Sequence, residues 1–309
     1  MSNALETHAV RLPGNLGRLE SEVVHIIREA LTEARKPVLL FSGGKDSTVL
    51  AALAVRAFAP GPPPIPLLHV DSTFEFDETL AFRDRFAERF GFQLFVEANE
   101  DGRRQGINPF THGSAVYTDV MRTHALKEAI DRHGFDVILG GARRDEEKTR
   151  AKERVFSIRS ENHGWDPRNQ RPELWALYNG RLRKGQTVRV FPLSNWTEAD
   201  IWTYIAVRGL PIAPLYFAAE RRTVDHEGTI LVVNDDRYPW QIGQTPVPRK
   251  VRFRTVGCWP VTGAIQSDAT TLAMVLAETL AASTSERQGR LIDRDEGGSL
   301  EHKKREGYF

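Results

Sequence analysis

The sequence predicts a doubly wound, mostly parallel α/β sheet with a mixed C-terminal extension. Three observations lead there. Short apolar runs alternate with amphipathic helical segments through the first two thirds of the chain. Those runs are continuous and lack polar alternation, as strands do when helices cover both sheet faces. One of them, "VLLF" (38–41), passes through the polar turn "SGGKDS" (42–47) directly into a helical pattern. Strand, tight turn and helix in that order form the place where open α/β sheets hold ligands.

The first element is "NLGRLESEVVHIIREALTEAR". Leu16, Leu19, Val23, Ile26, Ile27, Ala30 and Leu31 recur there at three- and four-residue steps and make one apolar helix face. Pro37 ends it, because proline disfavours helical geometry in the residue before it. The strand "VLLF" is followed by a helix from Ser47, and "IPLLHV" by the helix "DETLAFRDRFAERFG". "QLFVEA" leads into a long polar loop and the helix "AVYTDVMRTHALKEAIDRHG"; "DVILGG" comes next, and "TVRVFPL" precedes "NWTEADIWTYIAVRG". "TEAD" (197–200) has capping-box spacing, which predicts a structural role. "APLY" marks the exit from the core and divides an α/β domain, 1–212, from an extension, 213–309. The extension holds a small hairpin, "RTVDHEGTILVVND", and a helical, basic tail. The tryptophans at 165, 175 and 196 are expected to pack rather than to form a base-stacking platform.

Composition excludes several function classes. With 40% hydrophobic and 27% charged residues the chain reads as an ordinary globular protein. A formal charge of +1 argues against a general nucleic-acid binder, so anions must be met by local clusters of cations. No apolar stretch reaches a membrane span, and no basic segment followed by an apolar run and cleavage site opens the chain, which predicts a cytoplasmic protein. One cysteine excludes an internal disulfide and a cysteine-built iron–sulfur cluster. The nine histidines show no HxxH or HExxH spacing, so no zinc site is expected.

The turn at 42–47 looks built for phosphate, yet it is too short for the P-loop, which has four residues between its first glycine and Gly-Lys-Ser/Thr. Gly43 and Gly44 let the backbone bend and bring N–H groups close to phosphate oxygens. Lys45 adds a point charge, and Ser42 and Ser47 supply hydroxyl donors. Asp46 would repel phosphate directly. Its functional role would be to hold a magnesium ion that phosphate shares; its bland role would be a helix cap.

"SGGKDS" after an apolar strand resembles the PP-loop of the N-type ATP pyrophosphatases, which cleave ATP between its α and β phosphates. The rest of the chain narrows the resemblance. "HVDSTFEFDET" (69–79), "INPFTHGSA" (107–115), "GGARRDEEKTRAKERVFSIR" (140–159), "WDPRNQRPELWALYNG" (165–180), "VFPLSNWTEADIW" (190–202), "VRFRTVGCWPVTGA" (251–264), "SERQGRLIDRD" (285–295) and the tail "KKREGYF" occur in order. Together they closely resemble the small subunits of the GTPase-coupled bacterial sulfate adenylyltransferases. Ser72 and Phe74 depart from the family, which commonly shows Thr and often Trp there.

The resemblance implies transfer of AMP from ATP to sulfate, giving adenosine 5′-phosphosulfate and pyrophosphate, with Mg2+ accompanying ATP. It also implies a partner, a large translation-factor-like GTPase subunit, since no GTPase motif occurs in this chain. Sulfate is already ionised and needs no general base, so catalysis would rest on positioning and charge. Two mutually repelling anions call for arginines. Arg143 and Arg144 follow "DVILGG" and so stand near the ligand edge of the sheet, although "RRDEEKTRAKER" also reads as a solvated helix, with Lys148, Arg150 and Lys152 more so. Lys45, Asp46, Arg143 and Arg144 are the catalytic candidates; Asp71, ending its strand, would touch nucleotide or metal, or merely cap its loop. Arg252 and Arg254 alternate on an extended segment, and Arg287 and Arg290 stand three apart; both pairs are sulfate candidates, the second mainly through the resemblance.

Other readings remain. Sulfonucleotide reductases share this fold but use a cysteine in a Glu-Cys-Gly type motif near the C-terminus, which is missing here, and Cys258 is expected to be a small packed residue. A nucleotide-binding module without catalysis would not require the intact Lys45-Asp46 pair. A tRNA-modifying pyrophosphatase fits poorly with neutral charge and a single cysteine.

Overall fold

The apolar stripe read at the start of the chain is the buried face of a long helix, α1 (Leu16–Glu33), and Leu16, Leu19, Val23, Ile26, Ile27 and Ala30 are all within the core. Glu20 is buried on the same face, where Arg56, Arg208 and the Tyr204 hydroxyl satisfy its carboxylate at 2.9, 2.8 and 2.7 Å. The computed structural model describes residues 12–146, 148–226, 228–240 and 245–282. After α1 the chain runs through β1 (Pro37–Leu40), α2 (Lys45–Phe58), β2 (Leu67–Val70), α3 (Asp77–Phe90) and β3 (Leu94–Glu97). Two short helices follow, α4 (Glu100–Arg104) and α5 (Pro109–Thr118); the sequence predicts a polar loop up to residue 114 and a helix from Ala115, which α5 overlaps only in its last turn. Asn99 and Asn108 cap them with side-chain acceptors, a local signal that apolar periodicity does not carry. A π-helical stretch, Asp119–His124, joins α5 to α6 (Ala125–His133).

The chain continues through β4 (Val137–Leu139), β5 (Phe156–Arg159), β6 (Thr187–Val190) and α7 (Glu198–Arg208). The capping box of α7 is formed, Thr197 and Asp200 exchanging side-chain and backbone hydrogen bonds. Six strands make one sheet in the order β3-β2-β1-β4-β6-β5. All neighbours are parallel except β5, an antiparallel edge strand that the sequence reading did not separate from the basic segment before it. From β1 the chain winds outward through β2 and β3, then crosses back to β4 on the other side of β1. The ends of β1 and β4 therefore flank the point where winding reverses, and a crevice opens there in doubly wound sheets.

Beyond residue 212 the chain forms β7 (Ala219–His226), β8 (Thr229–Val232), β9 (Val247–Arg252) and β10 (Gly263–Gln266), which close into a small antiparallel barrel, followed by α8 (Leu272–Ala281). The expected hairpin is β7–β8, with His226 opposite Thr229. One cluster of buried side chains runs through both parts of the chain: Leu39, Phe41 and Val49 belong to it, as do Tyr216, Val251, Phe253 and Trp259. Phe253 packs on Phe76 at 5.0 Å and Trp259 on Phe74 at 5.6 Å. Trp165 and Trp196 are buried as expected, but Trp175 is 85% exposed, carried outward by a turn with φ of +54° and +56° at Trp175 and Ala176. Among the described residues no helix is long and apolar enough to cross a membrane.

Candidate active site

The turn between β1 and α2 owes its shape to two glycines and one distant hydroxyl. Gly43 adopts φ +72°, and a Cβ there would meet the Thr79 methyl at 2.9 Å. The Ser42 hydroxyl accepts from the Gly44 N–H at 3.3 Å, and the Ser47 hydroxyl donates to the Gly44 carbonyl at 2.9 Å. The Lys45 N–H, first in α2, donates to the Tyr216 hydroxyl at 2.7 Å. Backbone N–H groups at a helix start favour anions, and this helix start sits at the sheet's switch point.

The charged members of the turn are knitted to the end of β4. Asp46 Oδ1 accepts from Arg143 Nε at 2.7 Å, and Asp46 Oδ2 stands 3.2 Å from Lys45 Nζ. Lys45 and Arg143 are each only 1% exposed. Burial opposes ionisation of Asp46, but the charges and hydrogen bonds of Arg143 and Lys45 outweigh it and hold its carboxyl down to about 2. Arg143 also reaches Asp145 at 3.2 Å, and Lys45 Nζ donates to the Arg254 carbonyl at 3.4 Å. Both Asp46 oxygens already face a cation, Arg143 at 2.7 Å and Lys45 at 3.2 Å, so the expected contact with Mg2+ would use the lone pairs these leave.

Beside the turn lies a pocket of about 240 Å³. Leu40, Phe41, Leu68, Val70, Leu126 and Val256 supply apolar wall, and Ser42, Asp46 and Ser47 border it on the turn side. Arg122, Glu146 and Arg150 supply its charge. An apolar slot beside a polar turn at a helix start has the character of a small-molecule site. His69 forms part of the floor; its Nδ1–H donates to the Phe41 carbonyl at 2.9 Å, tying the end of β2 to the residue before the turn. Burial pulls the His69 pKa down, so the ring is neutral at pH 7.

The remaining candidates lie elsewhere or are otherwise engaged. Arg144 turns from the pocket towards the segment after β6: its N–H donates to the Ser194 carbonyl at 3.0 Å and its guanidinium to the Asn195 side chain. Asp71 accepts from the Thr73 N–H at 2.7 Å and pairs with Arg103 at 2.8 Å, so it caps its own loop. Arg252 is buried against Glu278 of α8 at 2.7 Å, and Arg254 pairs with Glu198 at 2.6 Å. Arg287 and Arg290 lie outside the described residues. Cys258 is fully buried, its sulfur 2.8 Å from the Ser72 hydroxyl, and burial pushes its thiol up.

Four participants were not among the expected site residues. Tyr216 and Arg122 carry no local sequence signal. Arg150, read as a solvated-helix residue, is 8% exposed and borders the pocket, with Nε 3.4 Å from Glu146. Gly141 was legible only as part of the "GG" ending β4. A Cβ there would come within 3.1 Å of the Asp46 carbonyl carbon and the Ser47 nitrogen, so the two loops pack backbone to backbone.

Residues 36–264 match the phosphoadenosine phosphosulfate reductase domain family. The chain is 58% identical to the sulfate adenylyltransferase subunit 2 of Methylococcus capsulatus, covering 96% of this chain and 98% of that one. It is 59% identical to that of Burkholderia lata, over 96% and 99%. Among solved structures, Candida glabrata FMN adenylyltransferase aligns over 94% of each chain with a TM-score of 0.51 and 14% identity, a likeness of fold alone. The near-complete relatedness, on an intact turn at the sheet's switch point, places this chain in the sulfate adenylyltransferase subunit 2 family.

Proposed function

We propose that this chain is the adenylyl-transferring subunit of a sulfate adenylyltransferase, converting ATP and sulfate to adenosine 5′-phosphosulfate and pyrophosphate. The observation that carries this reading is identity of 58% with a sulfate adenylyltransferase subunit 2 over 98% of its length. In the reaction a sulfate oxygen forms a bond to the α-phosphorus and the bond from that phosphorus to the bridging oxygen breaks, so the electron pair leaves with pyrophosphate. Because sulfate enters as an anion, no proton need move. The α/β domain through residue 212 carries ATP, and the extension from 213 braces the turn through the Tyr216 hydroxyl and the Arg254 carbonyl, both of which accept from Lys45. Backbone N–H groups of the 42–47 turn and the Lys45 ammonium would receive the departing pyrophosphate, whose charge grows as the bond breaks. Arg143 orients Asp46, and Asp46 in turn keeps Lys45 aimed across the turn. Mg2+ enters with ATP as part of the substrate.

Sulfate would be met by cations at the pocket, which Arg122 and Arg150 line, whereas Arg252 is paired with Glu278 outside that lining. A phosphosulfate anhydride is strongly uphill to form, so the same reading includes a separate GTPase subunit that drives it, and a cytoplasmic location where both nucleotides are at hand. The reductase reading gains nothing from Cys258, which is sealed in the core beside Ser72.

The test is pyrophosphate release from ATP by the purified chain, with and without its GTPase subunit. Release is expected to require sulfate, or molybdate as a surrogate, and to rise when the GTPase and GTP are present. Release indifferent to sulfate and molybdate under all conditions would defeat the proposal.

A further inference from the structure

Among the described residues, Leu174, Trp175 and Leu177 form an exposed apolar ridge, at 60%, 85% and 69% exposure. It sits on the segment joining the edge strand β5 to β6, away from the pocket. The ridge is not a loose loop. Glu173 accepts from the Val155 and Phe156 N–H groups at 3.1 and 2.7 Å, and the Gln170 side chain exchanges hydrogen bonds with both the N–H and carbonyl of Ile158. Those side chains occupy the outer edge of β5, which would otherwise invite another strand. Arg171 donates to the Asn179 backbone and side chain at 2.7 and 3.0 Å, closing the segment at its base, while Tyr178 stacks on Phe156 at 4.8 Å. The anchored base holds three apolar side chains out in water, two of them across a turn with positive φ at Trp175 and Ala176. A rigid, pre-organised aromatic flanked by aliphatics is the composition of a binding hot spot.

Charge selects the occupant. Arg171, Arg181 and Arg183 cluster at the foot of the ridge closely enough that, beyond partial burial, the two neighbours further lower the Arg171 pKa. A second copy meeting this face through a two-fold axis would set the same cations against each other. Bases would stack on Trp175 but gain little from the two leucines beside it. We propose that the Leu174–Trp175–Leu177 ridge docks into an apolar slot with an acidic rim on the GTPase subunit, and is the element through which this chain joins its partner. This rests on the reading that such a subunit exists. The location also has a mechanical consequence. Glu173 holds the backbone at Val155–Phe156, two residues after Glu153, whose carbonyl accepts from Arg144 and whose carboxylate pairs with Arg159. The ridge is thus tied to the segment that brings Arg150 to the pocket.

The experiment compares binding of the cognate GTPase subunit to the full-length chain and to three variants, by analytical ultracentrifugation and surface-immobilised titration. Trp175→Ala combined with Leu177→Ala is expected to weaken association at least tenfold, as is Arg181→Glu combined with Arg183→Glu. Val96→Ala, an exposed apolar side chain on the edge strand β3, should leave it unchanged. All variants should keep the wild-type unfolding midpoint and the wild-type affinity for ATP. If the GTPase binds wild type and both ridge variants equally, the ridge proposal falls while the proposed function stands. If the GTPase does not bind wild type at all, the partner reading falls and the ridge proposal with it. The proposal is also overturned if the ridge variants abolish self-association, or Trp175-dependent binding to anionic vesicles or a single-stranded RNA oligonucleotide, and leave GTPase binding intact.

Discussion

Arg143 Nε lies 2.7 Å from Asp46 Oδ1, joining residues 97 apart in the chain across the ends of β4 and β1. This contact turns two neighbouring loops into one charged unit, because Asp46 simultaneously faces Lys45. Removing Arg143 leaves Asp46 with Lys45 alone at 3.2 Å, and the loss of a hydrogen bond between charged groups costs about 1.5–3 kcal/mol. Arg143→Ala is expected to lower stability by about that amount and to abolish sulfate-dependent pyrophosphate release. Arg143→Lys should recover part of the stability but little turnover, since an ammonium cannot reproduce the planar fork that meets Asp46 and Asp145 together. Denaturant titration alongside the release assay checks both.

Asp46 links the site to pH. Its carboxyl is held at about 2 in the folded protein against 3.8 as the ordinary value. Its ionised form therefore contributes stability that is fully present above about pH 4 and is lost as pH falls towards 2, by at most about 2 kcal/mol. The stability difference between wild type and Asp46→Asn should be constant from pH 7 to about pH 4.5 and shrink below that. A difference that grows on acidification would contradict the paired geometry.

The two glycines that shape the site should respond differently to alanine. At Gly43 the backbone has φ +72° and the Thr79 methyl stands 2.9 Å from a new Cβ, so Gly43→Ala combines left-handed strain with a clash and should cost about 1–3 kcal/mol of stability. At Gly141 the obstacle is the Asp46–Ser47 backbone at 3.1 Å, which can yield only by shifting the turn. Gly141→Ala should leave stability within about 1 kcal/mol yet reduce kcat by roughly tenfold or more, because small misplacements of reacting groups are costly. Melting curves and steady-state kinetics on the two variants separate the effects.

Tyr216 acts on the turn from the far side of the chain, its hydroxyl accepting from the Lys45 N–H at 2.7 Å. In Tyr216→Phe this buried N–H loses that acceptor, and a loss of about 1–2 kcal/mol is expected. Affinity for pyrophosphate, which needs the turn in one shape, should fall as well; calorimetric titration with pyrophosphate measures it. Unchanged stability and unchanged affinity would remove Tyr216 from the site.

Much of this protein was legible in the sequence because the relevant signals are local. The apolar face of α1 follows from spacing within one helix, and the parallel sheet follows from short continuous apolar runs. The turn's chemistry is contained in six adjacent residues, and their resemblance to the PP-loop names the bond that is cut. The tertiary structure alone decided which arginines meet that turn. A guanidinium goes where a carboxylate awaits it, and those carboxylates arrive from distant elements: Arg143 finds Asp46, Arg252 finds Glu278 and Arg254 finds Glu198. Arg143 and Arg144 are adjacent in sequence, yet one is buried in the site while the other reaches for Asn195. Trp175 makes the same point from the outside. Its exposure results from the clamping of Glu173 to β5, an edge strand hidden in a segment that reads simply as basic.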